Sequence, residues 1–183
     1  MKKIYALYCI VRLTKKPEWL DDFREKYDKA YDFHLTLKQA AYIDDCQIRD
    51  IRKILDGIFA DFKKDKNNIG MTFDNLVLDN EEGYIYLFAD SNQMLDNLQR
   101  KVRNALKEYS EYVNPESSKY EYDFKPHITI ARELNDDKFK EAVTEIENDY
   151  VCKGEITEIV LSCIKEISVE EAHNPDNLIR YKL

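Results

Sequence analysis

Two stretches decide how this chain reads: His34-Leu35-Thr36-Leu37 and, 93 positions later, His127-Ile128-Thr129-Ile130. Each sets a histidine and a threonine two residues apart in a run of strand-forming residues. On a strand, the imidazole and the hydroxyl then share one face, while Leu35 and Leu37, or Ile128 and Ile130, share the other. Helices can cover the apolar face, which leaves the polar face looking into a cleft. One His-x-Thr pair would be an ordinary half-buried strand. Two of the chain's 3 histidines carrying the same apolar-Thr-apolar tail has a chance of roughly 1 in 10,000, so the repeat is read as functional.

Working outward, the apolar run 4–11 reads as a strand closed by the polar stretch 12–16. A helix follows, with Pro17 in its first turn and Trp19, Leu20, Phe23 and Tyr27 on one face. The first motif strand is expected over 33–38. Ile48, Ile51, Leu55, Ile58, Phe59 and Phe62 then repeat at helical spacing behind an Asp44/Gln47 capping pair. The second half repeats this order. Strands at 71–78 and 84–88 flank a turn at 79–83, and a helix capped by Ser91 carries Leu95, Leu98, Val102, Leu106 and Tyr109. After a polar loop at 114–118 come the second motif strand and a helix opened by Asn135, bearing Phe139, Val143 and Ile146. Strands at 156–164 and 178–183 close the chain. The expected fold is α+β, one domain spanning 1–183 and built of two pseudo-twofold lobes.

If such lobes face each other, two imidazoles and two hydroxyls converge on one cleft, and a phosphodiester suits it. One neutral imidazole takes a proton from the attacking oxygen while the other, as imidazolium, protonates the leaving oxygen. Both forms are accessible near the ordinary histidine pKa of ~6.5. Each Thr hydroxyl donates to a non-bridging phosphoryl oxygen. His34 and His127 are therefore the candidate catalytic pair, either of them acid or base, with Thr36 and Thr129 as phosphate ligands. No cofactor is called for. Three scattered His and four scattered Cys do not make a zinc site, so no metal is expected.

With 36 acidic and 28 basic residues the net charge is −8, which argues against coating long nucleic acid. The expected partner is a short RNA end, an oligonucleotide or a cyclic nucleotide, with no obligate protein partner. Cys9, Cys46, Cys152 and Cys163 lack CxxC spacing and read as free thiols in a reducing cytoplasm. The first residues show no secretion-signal pattern, and no apolar run approaches the ~20 residues of a membrane span.

The segment Lys125-Pro126-His127-Ile128-Thr129-Ile130-Ala131-Arg132 closely resembles the Pro-His-x-Thr-x-Ala-Arg form of the 2H phosphoesterase superfamily, which includes LigT-like proteins labelled 2′-5′ RNA ligases. The first motif departs from that form in having Phe33 where the family often has Pro, and keeps His34 and Thr36. The resemblance covers essentially the whole chain. It implies a two-lobed α+β fold, with antiparallel sheets lining a central cleft and helices outside. It also implies metal-independent chemistry on 2′,3′-cyclic or 2′-5′-linked phosphate esters. The alternatives are 2′-5′ RNA ligation, the same chemistry reversed, or non-catalytic binding of RNA ends or nucleotides.

Four further residues are candidate substrate contacts. Arg132, where the family pattern has an arginine, and Lys38 follow the motifs as phosphate-neutralising cations. Tyr122 and Phe124 offer a stacking surface for a base, although their alternation with acids in Tyr120-Glu121-Tyr122-Asp123-Phe124 also suits an ordinary half-buried strand. His173, in a polar turn-like stretch, reads as solvated, and the lysines in 62–66 read as a solvated helix end.

Overall fold

The computed structural model describes residues 2–64 and 69–182. Among the described residues, eight strands, β1 (Lys2–Lys15), β2 (His34–Asp44), β3 (Gly70–Asp79), β4 (Tyr84–Ala89), β5 (Glu111–Tyr112), β6 (His127–Ala131), β7 (Cys152–Ile164) and β8 (Leu178–Lys182), form one antiparallel sheet in the order β5-β2-β1-β7-β3-β4-β6, with β8 also on β7. The same described residues hold six α-helices: α1 (Trp19–Tyr27), α2 (Ile48–Lys64), α3 (Gln93–Ala105), α4 (Ser118–Tyr122), α5 (Asp136–Glu145) and α6 (Val169–His173). The α+β architecture is as expected, but the separate sheets merge. They do so because β7 is long enough to pair β1 along one edge and to share its other edge between β3 and β8.

The strand order explains why the repeat is hard to see in sequence. Read outward from the β7/β3 junction, β7-β1-β2 on one side matches β3-β4-β6 on the other, and each motif strand lies farthest out in its trio. The match extends to single residues. Tyr8 pairs Thr36 and Ile10 pairs His34 in one half; Tyr86 pairs Thr129 and Phe88 pairs His127 in the other. The Val11 N–H donates to the Phe33 carbonyl at 2.9 Å, as the Ala89 N–H does to that of Pro126 at 2.8 Å. Phe33 and Pro126 are thus structural counterparts. β7 matches β3 although one ends the repeat and the other begins it, which breaks any linear alignment of the halves.

Helix α3 lies against β2 and α1 against β6. Leu35, Leu37, Ile128 and Ile130 are buried in the continuous core, as the strand alternation predicts. The Asp44/Gln47 capping box forms, entering a short 3₁₀ turn before α2, and Asn135 caps α5. Other expectations are corrected. Asn92, not Ser91, caps α3, because its side chain accepts the N–H groups of Met94 and Leu95. Strand β1 runs on through Lys15, since β7 pairs it that far, and β2 continues to Asp44. The segment around Tyr120 is helix α4 rather than a strand. The polar stretch 169–173 is helix α6. Of the lysine-rich stretch 62–66, Asp65 and Lys66 lie outside the described residues.

Candidate active site

Both motif imidazoles are half-buried and anchored in the same way. The Nδ1–H of His34 donates to the Asp32 carbonyl at 2.8 Å, and that of His127 to the Lys125 carbonyl at 2.9 Å. A carbonyl can only accept, so each bond places the proton on Nδ1 and leaves Nε2 as the basic nitrogen. Burial pulls both histidines below the ordinary value, opposed in each by the carbonyl bond. For His34, the Arg132 and Arg24 charges lower it further and Asp28 raises it. Each imidazole is therefore biased toward its neutral, proton-accepting form.

Two adjoining chambers contain the pair. One, of about 510 Å³, is lined by His34, Thr36 and Tyr8; the other, of about 400 Å³, by His127, Thr129 and Tyr86. Thr36, Gln39 and Tyr84 line both, so the chambers form one cleft with the motifs on either side. All four motif side chains thus line the cleft.

Neither tyrosine stands out in the sequence as a site residue. Each stands opposite a motif threonine on the same face and packs against the histidine, Tyr8 on His34 at 5.3 Å between rings and Tyr86 on His127 at 4.9 Å. Burial raises the pKa of both hydroxyls, which keeps them protonated and able to donate. Tyr8 and Tyr86 sit in strands that the sequence predicts, but the register that sets each opposite a threonine is not visible in it.

Arg132 does reach the cleft, but in the chamber of His34 rather than that of its own motif. Its guanidinium is held by the buried carboxylate of Asp28, which also takes Arg24 at 3.0 Å, and it lies 4.3 Å from the Tyr31 ring centroid. Phe124 lines the His127 chamber together with Tyr120. Tyr122 does not line it; it is exposed and lies against Arg103.

Lys38 is not in the cleft at all. Its side chain is 0% exposed. The cause is a β-bulge: Tyr8 pairs Thr36 but Leu7 pairs Lys38, so Leu37 is the extra residue and the faces exchange beyond it. The second half carries the same bulge, since Tyr86 pairs Thr129 and Ile85 pairs Ala131. Position four past each histidine therefore points inward. Alanine fits there without help. Lysine requires the buried Glu121 of α4, whose carboxylate accepts from Lys38 Nζ at 2.9 and 3.1 Å, from the Gln39 N–H at 2.8 Å and from the Tyr112 hydroxyl at 2.9 Å. His173 is exposed, as its reading as a solvated residue expects, but it also takes a place at the cleft. Its ring stacks on Tyr31 and lines the His34 chamber.

Among the described residues, no three His, Cys, Asp or Glu side chains cluster as metal ligands would. No helix there is long and apolar enough to cross a membrane.

Two His-x-Thr-x strands, matched across one cleft, define a 2H phosphoesterase. The pattern of the 2′-5′ RNA ligase superfamily matches residues 14–163. A protein of Geobacillus sp. (strain WCH70) named "Putative phosphoesterase" is 30% identical over 142 residues, covering 73% of this chain and 70% of its own length. Among solved structures, E. coli LigT complexed with 3′-AMP superposes with a TM-score of 0.55 at 12% identity, covering 100% of this chain and 96% of that one. Kluyveromyces marxianus Usb1 superposes with a TM-score of 0.51 at 8% identity, with 98% of each chain covered. The chain belongs to the 2′-5′ RNA ligase superfamily.

Proposed function

We propose that the chain is a metal-independent phosphodiesterase that hydrolyses 2′,3′-cyclic or 2′-5′-linked phosphate esters of RNA ends or nucleotides. The observation that carries this reading is the matched anchoring of the two histidines. Both rings are tied through Nδ1 to a main-chain carbonyl, and each stands beside a threonine in one cleft. One neutral Nε2 takes a proton from water as its oxygen attacks phosphorus. The other ring, protonated, gives a proton to the departing ribose oxygen, so a P–O bond forms as another breaks and the pair ends with its roles exchanged. Hydroxyls of Thr36 and Thr129 donate to the non-bridging oxygens as charge gathers there. Support for a nucleotide substrate comes from LigT, which has been crystallised with 3′-AMP and with NADP+.

The test is turnover of purified protein on 2′,3′-cyclic, 2′-5′ and 3′-5′ esters, with products identified and chelator present throughout. Hydrolysis of the first or second class, undiminished by chelator, is expected. Loss on chelation restored by one divalent ion would overturn the metal-independent mechanism, and binding without turnover of any ester would point to a non-catalytic nucleotide binder.

A further inference from the structure

The two chambers carry the same catalytic groups but differ in what surrounds them, and the difference assigns the two arms of a substrate. The residue five past the motif histidine is Arg132 in one copy and Gln39 in the other. Arg132 lines the His34 chamber alone, whereas its neutral counterpart Gln39 lines both chambers, so the His127 chamber gains no cation from either position. The His127 chamber is further lined by Asp79, Glu82 and Asp123, and its Lys125 is paired with Asp123 at 2.9 Å. Another phosphate placed there meets like charge. Its aromatic wall, which includes Phe88 and Phe124, suits a base instead.

The His34 chamber is also lined by Arg180 of β8 and His173 of α6. Glu158 engages Arg180 through Nη1 at 2.8 Å, which leaves Nε and Nη2 of the guanidinium fork to meet an anion. Arg180 also acts electrostatically on the Tyr8 hydroxyl, opposing the rise that burial causes, so its charge is felt at the face that carries Thr36. His173 repeats the anchoring of the catalytic pair. Its Nδ1–H donates to the Val169 carbonyl at 2.7 Å, its ring stacks on Tyr31 at 5.6 Å, and Nε2 is left for a ligand. Asp32 and Glu133 line this chamber too, so recognition there depends on directed donors rather than a general positive potential.

We propose that the His34 chamber is a binding site for a second phosphate, one that is not cleaved, with Arg180 as its principal ligand and His173 as its second. This deepens the reading of the cleft as a phosphodiesterase site and names its substrate class: nucleotides or short oligonucleotides that carry a phosphate beyond the reacting ester, with the base seated on the His127 side.

Binding of product-like ligands tests the site without turnover. Calorimetric titration of the full chain with adenosine 2′-monophosphate and adenosine 2′,5′-bisphosphate is expected to show the bisphosphate bound about 10- to 100-fold more tightly, the gain of one charge-assisted contact. Arg180→Gln and His173→Ala should each bring that ratio toward one. A wild-type ratio near one, or a ratio that neither variant moves, would overturn the proposal. So would a ratio that collapses in Lys125→Gln instead, because the second phosphate would then lie in the other chamber. If no ester is hydrolysed but the ratio behaves as expected, the site stands and the catalytic reading fails. If esters are hydrolysed with a ratio of one, the reverse holds.

Discussion

The half around His34 and the half around His127 share a bulge, a cross-strand tyrosine and a carbonyl-anchored imidazole, yet they part company immediately after the motif threonine. Four past the histidine, one half has Lys38 and the other Ala131, both facing inward; five past it, one has Gln39 and the other Arg132. The first difference builds a buried ion pair into only one half. The second moves a cation across the cleft to the opposite histidine. What stays equal between the halves is what the proposed proton transfer and charge stabilisation use, and what differs concerns stability and the proposed placement of the substrate's two arms.

The strongest attack on this comparison is to remove the histidines one at a time. If the halves are equal partners in chemistry, His34→Ala and His127→Ala each lower kcat/KM by about 10²–10⁴-fold, with folding retained because neither ring is core. One variant within a few-fold of wild type, and well folded, would end the equality. A difference confined to stability is expected from Lys38→Ala, which gives the first half the residue of the second. It strands the Glu121 carboxylate, only 2% exposed, and should cost about 3–5 kcal/mol by denaturant unfolding. The double replacement Lys38→Met with Glu121→Leu should recover most of that loss. A cost for Lys38→Ala below about 1 kcal/mol would mean that Ala131 and Lys38 are interchangeable after all.

Thr36→Ala and Thr129→Ala sharpen the comparison at a finer scale. Each removes one hydroxyl donor and should reduce kcat by about 10- to 100-fold, to a similar extent in both halves. The smallest effect is on folding itself. Both histidine pKa values are depressed in the folded chain, so between those values and ~6.5 the unfolded chain binds more protons. Their contribution is fully present above pH ~6.5 and is lost as pH falls through the depressed values. Urea midpoints should therefore drop less on acidification in a His34→Ala/His127→Ala double variant than in wild type. An equal drop in both would contradict the shifts.

Much of this was legible because it depends on local pattern. Alternation placed His34, Thr36, His127 and Thr129 on one face of their strands, helical spacing found α2 and α3, and the Asp44/Gln47 box was visible as a pair. What escaped depends on partners distant in sequence. Lys38 reads as a cleft cation because it closely follows the first motif, and only pairing with β1 reveals the bulge at Leu37 that turns it inward. The stretch holding Glu121 alternated like a strand but is helical, and its carboxylate is held by Lys38, Gln39 and Tyr112. Likewise, Tyr8 and Tyr86 became site residues only through register. His173 did so by stacking on Tyr31, 142 positions earlier in the chain.

The proposed chemistry needs one neutral and one protonated imidazole acting together, and the pH dependence of kcat/KM tests this most directly, measured on whichever ester the protein turns over. Because productive enzyme holds one proton across two histidines that are both depressed, the profile should be a bell with its maximum below pH ~6.5, falling on both sides as the pair gains or loses that proton. A single sigmoid, or a maximum above pH ~7.5, would contradict it.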